Sequence, residues 1–481
     1  MQFNSYVFIF LLMPLTVIFY FLANNIKTTL GKVVIISASI VFYTLGRINM
    51  LIYLGMSMLI NYCAALIIKK TKYSSLAVFL SVCINIGLLL YFKYLNFALT
   101  NINGLFKTSF LSRQIIIPLG ISFYTFQQIA YIVTTAKGEL KDNSLIDYLV
   151  YILFFPKLIM GPLVEPVDFM YQINDERKKQ INLSNIAIGL KLFSLGLLKK
   201  VLFADTFAKA VSWALTNLYT TTGLDCLLLA LFCSFEIYFD FSGYSDMAIG
   251  VSKMMNIDLP MNFDSPYKAL SIRDFWKRWH ISLTKFLTKY IYIPLGGSRK
   301  GSVQTYINTL IVFLISGLWH GANRTFVIWG LIHGLLSCFD RMFNKVEEKI
   351  AVPIRWFCTF CMVSILWVLF NVETIGQWLH VLKNIFLMQN GIISDEMMMP
   401  FNLVENQFIY DTLHLSALST DFRWLNMFIF ILIAFFICLV PENNYRNKGK
   451  LTLGSLILAS VAFIWGILFL GTESTFVYFG F

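Results

Sequence analysis

The sequence predicts an all-α, polytopic integral membrane protein with about 11–13 helices, including re-entrant and interfacial ones, around a central tunnel. Two observations support this fold class. Of the 481 residues, 58% are hydrophobic and only 13% are charged, whereas soluble domains contain about 45–50% apolar and about 25% charged residues. A disordered chain would also be poorer in apolar and aromatic residues. Lipid is therefore the expected solvent for most of the chain.

Apolar runs recur along the whole chain, which we treat as one membrane domain over residues 1–481 with a catalytic core at 115–340. A spanning helix needs about 20 mostly apolar residues. Run 3–22 is expected to be a permanent helix, because no Lys or Arg precedes Lys27 and no small-residue cleavage site follows. The candidate runs are 3–22, 33–45, 48–68, 75–99, 115–135, 146–165, 185–203, 226–250, 303–320, 325–340, 354–370, 422–440 and 451–470.

Run 146–165 differs from the others, because Pro156, Gly161 and Pro162 interrupt it. This pattern predicts a broken, re-entrant element, which is tolerated only where protein or a water-filled cavity surrounds it. The segment 171–184 that follows contains Arg177, Lys178 and Lys179, and the loop 136–145 before it also carries lysines. Both are therefore expected on the cytoplasmic side, which requires that the run does not cross.

The distribution of charge predicts the orientation in the membrane. The net charge is +12, and the bases lie in short loops such as 24–32 and 69–72, as in cytoplasmic loops. The basic segment 253–301 is expected inside, and the acidic segment 371–421 outside. No continuous basic face with interleaved aromatics is present, which argues against nucleic-acid binding. No inverted halves of the transporter kind are visible.

The eight cysteines lie in or near apolar runs. Cys358 and Cys361 form a CxxC, but no second pair and no nearby histidine completes a zinc site. We interpret the cysteines as small core residues, and the sequence predicts neither a bound metal nor a disulfide framework.

Five histidines are present, and three of them fall in the aromatic stretch 271–334. At 100° per residue, Arg273–Tyr290 forms one amphipathic helix, which indicates an interfacial helix with anchoring tryptophans. His280 lies at the border of its two faces and is a candidate proton acceptor, because neutral imidazole accepts protons near pH 7.

His320 ends an apolar run, with Gly317 and Gly321 beside it. The missing side chains would leave room for a substrate, and an ionisable residue at membrane depth is a functional candidate. The alternative is a buried histidine that bonds to a carbonyl. We interpret His333 as structural, and His380 and His414 as part of the solvated external segment.

Run 226–250 contains an acidic cluster that needs partners, because an unpaired buried charge is costly. Pairing with the basic stretch 273–278 is the structural interpretation, and lining of a polar tunnel is the functional one. The cluster consists of Glu236, Asp240, Ser242, Tyr244, Ser245 and Asp246.

The glycine-rich basic turn 294–301 can be interpreted as a phosphate cradle or as a plain cytoplasmic turn. No Walker loop, GxSxG elbow or HExxH motif occurs in the sequence. ATPase, serine hydrolase of that type and zinc protease interpretations therefore lack support.

Several strings make the sequence resemble the membrane-bound O-acyltransferase family, most closely its bacterial alginate O-acetyltransferase branch. The likeness covers nearly the whole chain. The strings are PLGISFYTFQ at 118–127, Gly161-Pro162, FDFSGYSDMAIG at 239–250, NFDSPY at 262–267, FWKRWHIS at 275–282, YIPLGG at 292–297, GLWHGAN at 317–323 and the ending Phe476–Phe479. Arg324, Glu165 and Val167 depart from the family pattern.

The resemblance implies acyl transfer from a thioester donor to a hydroxyl, with His320 as the essential histidine and His280 as the second. We expect His320 to act as general base, with no bound cofactor and with acetyl-CoA or another acyl thioester as donor substrate. Further expected tunnel-lining residues are Asp240, Tyr244, Asp246, Trp319 and Asn323, and the donor-binding bases are Lys277, Arg278 and Arg299.

The expected function is O-acetylation of a cell-surface or exported polysaccharide, such as an alginate-like polymer, cellulose or peptidoglycan, from the bacterial inner membrane. Membrane lipids, the polysaccharide acceptor and an extracytoplasmic SGNH-type acetyl-transfer protein are the expected partners. D-alanyl transfer to teichoic acid by the sister branch is an alternative. A non-catalytic transporter or flippase is a more distant one.

Overall fold

The computed structural model describes residues 1–44, 48–70, 74–140, 144–347, 349–388, 391–414 and 422–471. Within these ranges the secondary structure is helical and no β-strand is present, so the all-α prediction is confirmed. Asp421 of the external segment and the ending Phe476–Phe479 lie outside the described residues.

The α-helices α1 to α22 follow in chain order, and short π-helical or 3₁₀ turns extend several of them. They are Met13–Ile26, Thr28–Thr44, Asn49–Lys70, Ser74–Leu89, Leu95–Phe106, Ile121–Ala136, Leu145–Leu153, Phe155–Leu158, Pro166–Asn174, Leu183–Leu198, Asp205–Thr216, Gly223–Met254, Ile272–Arg278, Ile281–Leu287, Ser302–His320, Arg324–Glu347, Val352–Asn371, Ile375–Leu387, Asp395–Met398, Val404–Thr412, Arg423–Leu439 and Leu453–Leu468.

Six of the described helical segments are long and apolar enough to cross a membrane, which agrees with the predicted polytopic class. They are Phe8–Ile26, Asn49–Lys70, Ser74–Phe106, Ser302–His320, Arg324–Asn344 and Val352–Asn371. Three shorter apolar helices, α2, α21 and α22, coincide with other predicted runs. The total number of passes stays a prediction.

The predicted break in run 146–165 is present. Helix α7 ends at Leu153, α8 spans only Phe155–Leu158, and α9 begins at Pro166. A Cβ atom at Gly161 would lie 2.2 Å from the carbonyl oxygen of Pro156, so only glycine allows the chain to fold back there. None of these pieces approaches the roughly 20 residues of a spanning helix.

The chain divides into two compact units. The first comprises Met1–Leu197, Tyr244–Met261 and Lys448–Gly471. Its core is aromatic: Phe3 lies 4.9 Å from Phe8 and 4.8 Å from Tyr244, measured between ring centroids. Buried polar side chains bond to one another, as where Asn61 Nδ2 donates to Asn85 Oδ1 at 3.1 Å. Such pairing is required where no water satisfies a polar group.

The second unit comprises Leu198–Gly243 and Asn262–Asn447, as far as the described ranges extend. Its helices α15 and α16 form an antiparallel pair in which the backbones approach closely. A Cβ at Gly317 would lie 2.3 Å from the carbonyl oxygen of Phe326, and one at Gly330 would lie 2.4 Å from that of Phe313. Small residues at such crossings are typical of membrane helix packing.

The prediction of one interfacial helix over Arg273–Tyr290 is wrong. The structure has α13 and α14 instead, separated by Trp279 and by His280 in the left-handed region at φ +43°. Trp279 is fully buried, with its ring 4.7 Å from that of Trp367. The tryptophan therefore packs in the protein core and does not anchor a helix at the lipid surface.

Candidate active site

His320 is the last residue of α15 and is buried, with 2% of its surface exposed. Aromatic rings surround its imidazole: Trp319 at 5.0 Å, Trp329 at 5.2 Å and Phe370 at 5.0 Å between centroids. The C-terminal end of a helix carries partial negative charge, which favours a positive charge nearby. An imidazole that accepts a proton at this position would therefore be stabilised.

His280 is fully buried in the same unit, and Asn262 holds it in place. The Oδ1 atom of Asn262 lies 3.0 Å from His280 Nδ1 and accepts hydrogen bonds from the Ser282 backbone N–H at 3.3 Å and hydroxyl at 2.8 Å. The Asn262 carbonyl also accepts from the N–H of Ile281 at 2.9 Å. These bonds stabilise the left-handed conformation at His280, which is uncommon outside glycine.

The bonds at Asn262 also indicate which nitrogen of His280 carries the proton. A backbone N–H can only donate, so the atom facing Ser282 must be the amide oxygen. His280 Nδ1 therefore donates to that oxygen, which leaves Nε2 as the basic nitrogen. Burial lowers the pKa of His280 to about 3, so the ring is neutral at pH 7.

Trp319 lies between the two histidines, with its ring 5.9 Å from that of His280 and 5.0 Å from that of His320. Phe241 packs edge-on against His280 at 4.7 Å. Asn323 donates from Nδ2 to the carbonyl oxygen of Glu373 at 2.9 Å, which joins the turn after His320 to the turn after α17. The structure therefore brings His280, Trp319, His320 and Asn323 into one region of the second unit.

The acidic cluster is paired differently from the prediction. Lys200 Nζ lies 2.7 Å from Asp240 Oδ1 and 2.8 Å from Asp205 Oδ1, and all three side chains are buried. In the stretch 273–278, which was the expected partner, Arg278 instead bonds to Asp274 at 2.9 Å. Lys200 lies in the π-helical turn Lys199–Ala204, so no sequence spacing placed it opposite Asp240.

The predicted donor-binding bases have different positions. Lys277 is exposed and lines a cavity of about 260 Å³ together with Arg273 and Arg341. Arg278 is held by Asp274, and Arg299 lies in the exposed turn 294–301. The inner wall of this cavity includes Trp276, Phe313 and Ser316, and Ser316 precedes His320 by one helical turn.

Tyr244 and Asp246 are buried members of the first unit, in which Tyr244 packs on Phe3. Their role as tunnel-lining residues stays a prediction. His333 is fully buried, and its Nδ1 accepts a hydrogen bond from Trp276 at 3.3 Å, as in a packing residue. His414 is exposed, whereas His380 is half-buried beside Tyr219.

Sequence reasoning did not assign Asn262, Lys200 or Arg341 to the site, and it expected Arg273 to pair with the acidic cluster. Asn262 lies in the string NFDSPY, which precedes the string FWKRWHIS that contains His280. This proximity in the sequence was the one signal that could have linked Asn262 to His280. Among the described residues, no group of three or more His, Cys, Asp or Glu side chains could hold a metal ion. Cys358 is exposed on α17, and Cys361 is half-buried there.

Comparison with known proteins adds a family to this geometry. A family model described as "MBOAT, membrane-bound O-acyltransferase family" matches residues 77–372. The chain is 36% identical to a peptidoglycan O-acetyltransferase of Helicobacter pylori over 100% of this chain and 97% of the relative. It is 37% identical to "Probable alginate O-acetylase AlgI" of Pseudomonas aeruginosa over 78% of this chain and 73% of the relative.

A more distant relative belongs to another branch. The chain is 30% identical to a teichoic acid D-alanyltransferase of Bacillus subtilis, over 48% of this chain and 60% of the relative. The matches to the two O-acetylating relatives are longer and of higher identity.

Proposed function

The chain belongs to the membrane-bound O-acyltransferase family and is therefore an O-acyltransferase, and on this premise we propose that it moves an acetyl group from a cytoplasmic thioester across the membrane to O-acetylate a cell-surface polysaccharide. Peptidoglycan is the favoured polymer, because the relative named for it aligns over the whole chain. The corresponding location is the bacterial inner membrane, which agrees with the positive bases in short loops.

The buried position of His320 among aromatic rings is the observation that supports this function most directly. His320 acts as general base: it takes the proton of an acceptor hydroxyl while the oxygen attacks the acyl carbon. The carbon–sulfur bond then breaks, and the imidazolium returns the proton to the departing thiolate. General base catalysis of this kind contributes roughly 10²–10⁴-fold.

His280 serves the same reaction as a neutral group of fixed orientation. Because Nδ1 donates to Asn262, the lone pair of His280 lies on Nε2, the nitrogen that would accept a hydrogen bond from the donor or from the acceptor hydroxyl. The His280 ring is held by the hydrogen bond to Asn262 and by packing against Phe241 and Trp319. It therefore loses little freedom when a substrate binds, which favours a role in positioning the substrate. His280 is therefore proposed as a positioning residue beside the base.

The cavity with basic residues at its mouth is proposed to hold the thioester arm of the donor. Arg273, Lys277 and Arg341 would meet a donor phosphate, since guanidinium and ammonium groups bind phosphate oxygens. The apolar wall at Trp276 and Phe313 suits the arm itself. Ser316 at the inner wall is one turn from His320 on the same helix. The donor itself is acetyl-CoA or another acyl thioester.

The experiment compares His320→Gln and His280→Asn with the wild type, and uses exposed His414→Gln as the matched control. The O-acetyl content of peptidoglycan is measured in cells, together with acetyl release from acetyl-CoA by purified protein. We expect His320→Gln to lose at least about 100-fold in transfer and His414→Gln to lose nothing. Wild-type acetylation in His320→Gln would contradict the proposal.

D-alanyl transfer is the second candidate, because the Bacillus subtilis relative matches part of the chain. The two functions differ in donor, so a D-alanyl thioester on a carrier protein is tested beside acetyl-CoA. Transfer from the D-alanyl donor alone would favour the sister function. Co-purification with an extracytoplasmic SGNH-type esterase would favour acetyl transfer through a partner protein.

A further inference from the structure

Three lysines of the first unit converge on one carboxylate at the end of α12. Lys253, in the last turn of α12, donates from Nζ to Asp258 Oδ1 at 2.7 Å, and Lys178 donates to Asp258 Oδ2 at 3.1 Å. Lys448, in the segment before α22, interacts electrostatically with both Asp258 and Lys178. We call Lys178, Lys253 and Lys448 the lysine cluster.

Amide side chains hold the backbone around the lysine cluster in place. Gln172 Oε1 accepts from Lys178 Nζ at 2.8 Å and from the N–H of Asp258 at 2.7 Å. Asn256, at a positive φ of +60°, donates from Nδ2 to the carbonyl oxygens of Lys178 at 3.0 Å and Gln180 at 2.7 Å. The turn that carries Lys178 is therefore joined to the end of α12. A site whose groups are already positioned loses less entropy when a ligand binds.

The lysine cluster carries more positive charge than its neighbours neutralise. Its three ammonium groups face the one carboxylate of Asp258, which leaves a net charge of +2. The adjacent turn does not offset this excess, because its acid Asp175 is bound by Arg177 at 3.0 Å. The other acid of the turn, Glu176, interacts with Lys179. Like charges held close together repel, so a phosphate group between the lysines would be stabilised by bonds from several ammonium groups.

Exposed apolar side chains follow the lysine cluster on two of its chain segments. Leu183, the first residue of α10, and Leu453, the first residue of α22, each have 76% of their surface exposed. Lys191 of α10 donates to the carbonyl oxygen of Lys450 at 2.8 Å, which joins α10 to the beginning of α22. The exposed apolar surface continues along α22 with Ile457, Leu458, Val461, Ile464 and Leu468. Acyl chains pack on such a surface, whereas a soluble anion gains nothing from it.

We infer that the lysine cluster binds the phosphate of an anionic phospholipid in the cytoplasmic leaflet, with the acyl chains lying along α22. Basic loops of a membrane protein are expected on that side of the membrane, and basic side chains there attract anionic headgroups. A free phosphate ion or a phosphate of the thioester donor would present the same oxygens, but neither accounts for the apolar surface. The inference does not depend on the acyl transfer proposed above.

The test immobilises the full chain in detergent and quantifies by mass spectrometry the phosphatidylglycerol or phosphatidylcholine that it retains from mixed micelles. We expect the wild type to bind phosphatidylglycerol at least about tenfold more tightly. Lys448→Gln, which leaves both ion pairs of Asp258 in place, should weaken that binding about fivefold. Lys27→Gln removes an exposed lysine of the basic loop 24–32 and is the matched control. Unchanged binding in Lys448→Gln, or equal weakening in both variants, would overturn the inference.

Competition distinguishes the three sources of phosphate oxygens. Inorganic phosphate or acetyl-CoA is added to the wild type that holds phosphatidylglycerol, and sodium chloride at equal ionic strength corrects for screening. Neither competitor should displace more lipid than the chloride does. Displacement by inorganic phosphate would assign the lysine cluster to a free anion, and displacement by acetyl-CoA would assign it to the donor. Either result would overturn the lipid site.

A labelling measurement locates the lipid on the wild-type chain, so that it does not depend on any variant folding. The full chain is placed in nanodiscs of phosphatidylglycerol or of phosphatidylcholine, and an amine reagent modifies its lysines. Lys448 should react at least about threefold more slowly in phosphatidylglycerol, relative to Lys27, because a bound phosphate covers its ammonium group. The ratio to Lys27 removes the general effect of an anionic surface on amine reactivity. An equal ratio in the two kinds of nanodisc would overturn the inference.

Discussion

Two helical segments of nearly equal length face opposite surroundings. Ser74–Phe106 has 33 residues, and only 11% of its most apolar stretch is buried. Helix α12, Gly223–Met254, has 32 residues, and every residue from 232 to 252 is buried. The first segment exposes most of its apolar side chains and buries three polar ones, Ser81, Asn85 and Lys93. The second is covered by protein on all sides.

The difference shows that hydropathy identifies helices that face lipid more readily than helices enclosed by protein. Lipid imposes an apolar surface on a helix, so Ser74–Phe106 was easily predicted from composition. A helix enclosed by protein does not need that surface, and α12 holds the carboxylate of Asp240 because Lys200 supplies a cation 2.7 Å away. Several buried acidic residues therefore lie on a helix that is not among the six described segments apolar enough to cross a membrane.

The largest expected effect tests the buried ion pairs of Lys200 with Asp205 of α11 and Asp240 of α12. Lys200→Met would leave Asp205 and Asp240 without their cation, which should lower the free energy of unfolding by about 3–5 kcal/mol. Lys209→Met removes an exposed lysine of α11 and should change it by less than about 0.5 kcal/mol. Thermal unfolding in one detergent measures both. Equal midpoints for the two variants would break the contrast between enclosed and exposed charges.

A smaller effect compares one glycine from each segment. A Cβ at Gly250 of α12 would lie 2.6 Å from the carbonyl oxygen of Gly189, whereas Gly87 has no atom within 4 Å. Gly250→Ala should therefore cost about 1–3 kcal/mol. Gly87→Ala should stabilise by up to about 1 kcal/mol, because alanine favours helix. A stabilised Gly250→Ala protein would show that α12 is not tightly enclosed.

The smallest effect concerns pH and the ring that packs on α12. His280 is buried beside Phe241, and burial lowers its pKa to about 3 from the ordinary 6.5. The unfolded chain therefore binds a proton that the folded one does not, so stability is full above pH 6.5 and is lost as pH falls toward 3. At pH 5.5 the loss is about 1.4 kcal/mol.

The matched variant for this titration is His280→Asn, because asparagine tolerates the left-handed conformation. Unfolding midpoints of the wild type and the variant are followed from pH 8 to pH 4. The wild type should lose stability relative to the variant only below pH 6.5. Parallel curves would show that His280 is charged or solvated in the folded protein.

The sequence predicted the fold class, most helical runs and the break at Gly161-Pro162, because these features depend on local composition. It did not predict the break at Trp279 and His280. That break depends on Asn262, which is 18 residues away, and on a positive φ that no periodicity reveals. Similarly, the partner of Asp240 is Lys200, 40 residues away, in a turn of irregular helix.

For the candidate site, the histidines were predicted from the residues next to them in the sequence. The contacts that determine their tautomer and protonation state were not predicted. The resemblance supplied His320 and His280, but not the amide that holds His280 or the bases Arg273 and Arg341 at the cavity mouth. Long-range contacts between separate helices determine these features, and a single sequence records no distance between them.

The side-chain oxygen of Asn262 that faces His280 Nδ1 influences whether the ring is neutral or protonated. Replacing this amide by a carboxylate, as in Asn262→Asp, would place an anion about 3 Å from the ring and favour its protonated form. A neutral acceptor of protons would become a cationic donor without any change at His280. A single substitution outside the histidines would therefore shift the pH range in which the enzyme works.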